Sequence, residues 1–221
     1  MKKIFRRWPI AAVAAAILTT ATLTAAEASV AYADVSATAA TAGAQALREA
    51  MRKLWSDHVF WTREYVVAAI DGPPEAAQAA ASRLMKNQED IGHAVAAYYG
   101  ADAGSRLTSL LKQHIEIAVE LVAAAKAGQQ VKTKDADARW QQNADEIAAF
   151  LSQANPNWPR QAIADAMRMH LETTTAEVLA RLHREYAKDV AAFDAVYDHI
   201  LHMADVLTEG IVKQFPARFA S

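Results

Sequence analysis

Displacing the sequence by 56 residues lays LWSDHVFWTREYVVAAIDG (54–72) over LLKQHIEIAVELVAAAKAG (110–128) and superposes Leu54, His58, Glu64, Val66 and Gly72 on Leu110, His114, Glu120, Val122 and Gly128. A second displacement reaches MHLETTTAEVLARLHR, with His170 in register. The segments LMKNQEDIGHAV (84–95), WQQNADEIAAFL (140–151) and VYDHILHMADVL (196–207) follow the same shift, so Asn87, Asn143 and His199 share one position and Asp90, Glu146 and His202 another. Few folds accommodate a unit of this length three times in one chain; stacked helical hairpins do.

Apolar residues within each unit recur at helical spacing. Leu47, Met51, Leu54, His58, Trp61 and Tyr65 form one stripe, and Leu107, Leu110, His114, Ile117 and Leu121 form the next. Breaks at Asp71-Gly72-Pro73, Gly100-Ala101-Asp102, Ala127-Gly128-Gln129 and Asn155-Pro156-Asn157 carry helix stop and start chemistry. The spacing predicts helices over about 45–71, 74–98, 102–127, 131–154 and 159–183, then one ending near 208, before Gly210. Between the last two no Gly or Pro intervenes, leaving one long helix as an alternative; the repeat favours a turn near Arg184. The expectation is an all-α, six-helix bundle of three degenerate hairpins, about 44–100, 101–156 and 157–212, in a single domain covering 44–221.

Each repeated histidine lies as far from its hairpin turn as the Asn or His opposite it, so each pair sits at one height. If the hairpins share an axis, His58, His114, His170 and His199 converge with Asn87 and Asn143 in one polar layer. Three or four neutral imidazoles from separate helices suit Zn, Cu, Ni or Fe, and the asparagines would orient the non-ligating nitrogens. Asp90, Glu146 and His202 make a second candidate layer one turn away, as alternative ligands. His93 and His183 fall outside both, and Trp55, Trp61, Tyr65, Trp140 and Trp158 read as packing residues. Two other readings use the same layer: a module binding haem or an apolar ligand, with two histidines as axial ligands, and a non-catalytic structural or interaction protein of the cell envelope whose histidines close hydrogen bonds with asparagine.

Catalytic constellations are absent from the sequence. It has no cysteine, no G-x-S-x-G elbow, no glycine-rich phosphate loop and no Glu-x-x-His pair of the di-iron bundles, so no catalytic residue is assigned.

Lys2, Lys3, Arg6 and Arg7 precede an apolar run that ends in small residues near Ala33, the pattern of a secretory signal peptide over 1–33, with a flexible lead-in over 34–43. No later stretch has the length of a membrane span, so the mature chain is expected to be periplasmic or secreted. Cleavage there removes four of the 23 basic and one of the 25 acidic residues, leaving 19 against 24, a balance that disfavours nucleic acid as a partner. Exported without cysteines, the domain must draw its stability from packing.

The phrases LWSDHVFWTREYV, NQEDIGHAVAAYYG, NADEIAAFLSQANPNW and GIVKQFP resemble a family of small exported bacterial all-helical proteins of unknown function, over most of residues 50–219. Names attached to that family, glycosyltransferase and acetylglutamate kinase, require an α/β nucleotide-binding fold that this sequence does not encode. The resemblance therefore implies export and a helical fold, and no site residue.

Overall fold

The computed structural model describes residues 25–220, with side chains from residue 42 onward. Residues 1–24 of the expected leader lie outside the described residues. The chain divides into two units, Met1–Val35 and Ser36–Ser221. In the first, the described backbone from Ala25 is helical; the second is an all-helical bundle.

The helices are α1 (Ala25–Asp71), α2 (Pro74–Tyr99), α3 (Ala101–Lys126), α4 (Gln130–Ala154), α5 (Arg160–Leu182) and α6 (Tyr186–Gln214), followed by a 3-10 turn at Pro216–Arg218. No strand occurs among the described residues. Residues 34–43, expected as a lead-in, belong to the backbone of α1.

Successive helices pack on one another from α2 to α6. α1 joins them through Asn87 Nδ2 to the Leu54 carbonyl on the α2 side, and through a two-pronged Arg52–Asp205 pair on the α6 side. Links of one to five residues make consecutive helices antiparallel. Pro74 opens α2, where a missing N–H costs nothing, and a prolyl residue, Pro159, stands immediately before α5.

The uncertain fifth junction is a turn. Arg184 adopts φ 59°, in the left-handed region that Gly128 occupies with φ 66° at the α3–α4 turn. Both turns close alike: Gly128 N–H to Ala125 O and Gln129 N–H to Ala124 O in one, Arg184 N–H to Arg181 O and Glu185 N–H to Ala180 O in the other. A non-glycine residue holds that conformation at some cost, because the hydrogen bonds of the turn determine it.

One expected boundary moves. α6 continues past Gly210 to Gln214, because Gly210 serves close packing and not termination: a Cβ there would overlap the Trp158 indole. A similar contact draws α2 to α3, where a Cβ on Gly104 would lie 2.6 Å from the Gly92 carbonyl oxygen.

The end of the bundle bearing the α2–α3 and α4–α5 links, here the lower end, is filled by large side chains. Met51, Trp55, Ile91, Leu107, Leu110, Ile147, Ile163, Leu171, Ile200 and Leu207 form one buried cluster there. On α1 Leu47, Met51, His58 and Tyr65 of the expected stripe are buried, joined by Trp55 and Val59, whereas Leu54 and Trp61 are half-buried. The upper end carries only a small cluster around Tyr65, Val66, Ala80 and Val122. Glu177 and Asp189, each 1% exposed, share Arg63 there at 2.6 and 2.8 Å, and Arg181 bridges Asp189 to Asp71.

Candidate functional site

Between the two halves lie the repeated histidines. His58 on α1, His114 on α3 and His170 on α5 are 3–5% exposed, and His199 on α6 is half-buried. The His170 ring is the hub, with centroids 5.7 Å from His58, 6.2 Å from His114 and 6.3 Å from His199. Antiparallel pairing of helices with equal arm lengths brings the four to one height.

The polar partners fix which nitrogen each ring leaves free. Asn143 Nδ2 donates to the Leu110 carbonyl, so its Oδ1 faces His114 Nδ1 at 2.7 Å and accepts a hydrogen bond from the N–H there. His114 Nε2 therefore carries the lone pair. Asn87 bonds the Leu54 carbonyl in the same way, but the partner of His58 is the next residue: Gln88 Nε2 lies 3.3 Å from His58 Nδ1. His199 Nε2 donates to the Ala166 carbonyl at 2.9 Å. Each of these three carbonyls belongs to the residue four before a layer histidine, and each acceptor stands 56 residues after the last.

Burial keeps the rings uncharged. It pulls His58 down to about 3 and His114 to about 4, and His170, with three imidazoles around it, well below the ordinary histidine value. His199 is lowered by the same cause.

Above the layer opens a cleft of about 720 Å³, lined by α1, α3, α4 and α5 and by Leu84 of α2. The imidazoles of His58, His114 and His170 are its floor; Tyr65, Val119, Val122 and Val178 are among its walls; Lys126, Lys134, Asp137 and His183 stand at its rim. The cleft exists because α4 begins with KTKDADAR and α5 passes through three threonines, so the inward positions that hold Ile147, Leu151 and Met167 below are taken above by Ala136, Thr174 and Ala180.

At the inner end of the cleft His114 Nε2, Trp140 Nε1, His170 Nδ1 and Thr174 Oγ1 are buried without a hydrogen-bond partner among the described residues. A buried polar atom left unpaired costs about 1–3 kcal/mol. Trp140 stacks at a tilt on His114, 5.2 Å between centroids, and all four residues line the cleft.

The second expected layer does not assemble. Asp90 pairs with Lys86, Glu146 accepts from Gln142, and His202 is exposed. As they stand, no three His, Asp or Glu side chains among the described residues surround one point within metal-bonding reach. Trp61 lies outside the cleft, under the Arg83 guanidinium.

Several features of the site escaped the sequence: Gln88, Thr174, the cleft and its lysine rim. Only Gln88 had a signal, a polar residue at i+4 from Leu84 in a stripe that continues with Ile91 and Val95. No helix among the described residues is long and apolar enough to cross a membrane. Searches against family models, curated proteins and solved structures return no match to this chain.

Proposed function

We propose that this protein is an exported binding module that encloses a small, mainly apolar molecule in the cleft and grips an uncharged polar group of that molecule at the imidazole floor. The observation that carries the reading is the set of four unpartnered polar atoms at the closed end of an apolar cavity whose volume falls in the range of small-molecule sites, about 300–1,000 Å³. Trp140 Nε1 offers only a donor, His114 Nε2 only an acceptor, and Thr174 either, so a hydroxyl, which both accepts and donates, satisfies them. A charged group would meet no opposite charge there. The test is binding of an environment-sensitive apolar dye to the purified full chain: Val122→Phe, which narrows the cleft, weakens dye binding and leaves the fold intact. Equal dye binding by that variant refutes the reading.

A transition metal at the same floor is the second reading, favoured by the His114 Nε2 lone pair and the neighbouring free His170 Nδ1. It requires the rings of His58, His114 and His170, with His199 behind them, to swing toward a common point. Co²⁺ titration of EDTA-treated protein tests it; failure to develop ligand-field absorption, or its retention in His170→Ala, removes it. Haem fits less well, because a macrocycle centred on these imidazoles needs room below them, where Ile91, Leu110 and Ile147 are packed.

The underlying architecture we take to be three copies of one hairpin. The matching turns at Gly128 and Arg184 and the matching carbonyl bonds of Asn87, Asn143 and His199 support this. The third copy has put an imidazole where the others have a carboxamide.

A further inference from the structure

We infer that the cleft selects an elongated aliphatic carboxylate hydroxylated at its far end, an ω-hydroxy fatty acid of medium chain length, with the carboxylate at the rim. This deepens the apolar-ligand reading above and does not rest on the metal.

The rim supplies the first argument. Two ammonium groups, Lys126 and Lys134, face one carboxylate, Asp137, on a chain whose formal net charge is −2. The mouth is thus locally cationic on an acidic protein. Lys126 donates one hydrogen bond to the Ala69 carbonyl at 2.7 Å, which anchors it at the mouth. An ammonium has three donors, so two remain for an incoming anion.

The dimensions supply the second. The lining of α3 runs from His114 to Lys126, twelve residues, or about 18 Å at 1.5 Å each; from Ala118, just above the rings, it is about 12 Å. An extended alkyl chain advances about 1.25 Å per carbon from its bond length and tetrahedral angle, so the cleft spans roughly ten to fourteen carbons.

The floor supplies the third. A plain alkyl terminus would bury the four unpartnered atoms against methyl groups, whereas a terminal hydroxyl accepts from Trp140 Nε1 and donates to His114 Nε2. The ligand class thus has opposite requirements at its two ends, an anion outside and a neutral oxygen inside.

The experiment compares ω-hydroxydodecanoate, dodecanoate and dodecanol by calorimetric titration of the EDTA-treated full chain, wild type and Lys126→Gln/Lys134→Gln. The hydroxy acid is expected to bind tightest. Both carboxylates should weaken by about tenfold in the double variant, from two rim pairs of modest strength, while dodecanol is unchanged. Dodecanol binding as tightly as dodecanoate, or carboxylates indifferent to the double variant, overturns the head-group assignment but leaves the cleft reading standing. Dodecanoate binding as tightly as the hydroxy acid overturns the inner-end assignment. Failure of all three probes overturns the cleft reading with it.

Discussion

The lower and upper halves of this bundle use the same six helices and hold together by different means. Below the imidazole layer, leucine, isoleucine, methionine and tryptophan fill the space, and glycines let helices approach within backbone contact. Above it, Ala136, Val122, Thr174 and Ala180 leave the centre open beside the aromatic rings of Tyr65 and Trp140, and the helix ends are tied by the Glu177–Arg63–Asp189–Arg181–Asp71 chain of ion pairs. Dense packing is the default of a protein interior, so the half that forgoes it is the half with room for a ligand. The difference teaches that stability and binding have been separated along the bundle axis, with the histidines at the boundary.

Breaking the upper ties has the largest expected effect. Arg63→Ala leaves Glu177 buried without its cation and Asp189 with Arg181 alone, and should cost about 3–5 kcal/mol in urea denaturation; a loss below 1 kcal/mol would show that the upper half needs no ionic tie. In the lower half, Leu110→Ala should cost about 2–5 kcal/mol from lost burial and the cavity left behind. Val122→Ala, at the cleft wall, should cost much less, because space already exists beside it. Equal losses for the two would erase the contrast between the halves.

Acid sensitivity sharpens the comparison at the boundary. The layer histidines are depressed from about 6.5 in the folded state, so their contribution is complete above that pH and is lost as the pH falls toward 3 to 4. Burial raises Glu177 to about 7, against the pull of Arg63, because Asp189 takes most of the guanidinium's hydrogen bonds; that group acts with the opposite sign, its contribution declining as the pH rises from about 4.5 to 7. The lowered histidines outnumber the one raised carboxyl, so between pH 4.5 and 6.5 the unfolded chain binds more protons than the folded one and stability falls with acidification. His170→Leu removes one of them and should flatten that limb in pH-dependent denaturation. At pH 7 it should be neutral or slightly stabilising, since His170 Nδ1 has no partner to lose. Val122→Phe is likewise expected to change stability little, within about 1.5 kcal/mol, since it grows into open space.

Much of this was legible in the chain. The five junctions, the all-helical class and the common height of His58, His114, His170 and His199 follow from helical period and loop chemistry, which are local and survive in a linear string. The ring partners were half legible: Asn143 does bond His114, but His58 turned to Gln88, a choice that one residue of helix rotation decides. Gly210 misled because a glycine at a close helix crossing and a glycine at a helix end look alike in sequence.

The sequence by itself determined where the helices stop and which residues share a level, because backbone hydrogen bonding and 3.6-residue periodicity depend on near neighbours. Only the tertiary structure decided that Asp90, Glu146 and His202 face outward, that Lys126 and Lys134 stand over one opening, and that the upper core is hollow. Each of these depends on the rotation of one helix against another and on the summed volume of side chains from four helices, quantities that no single segment carries.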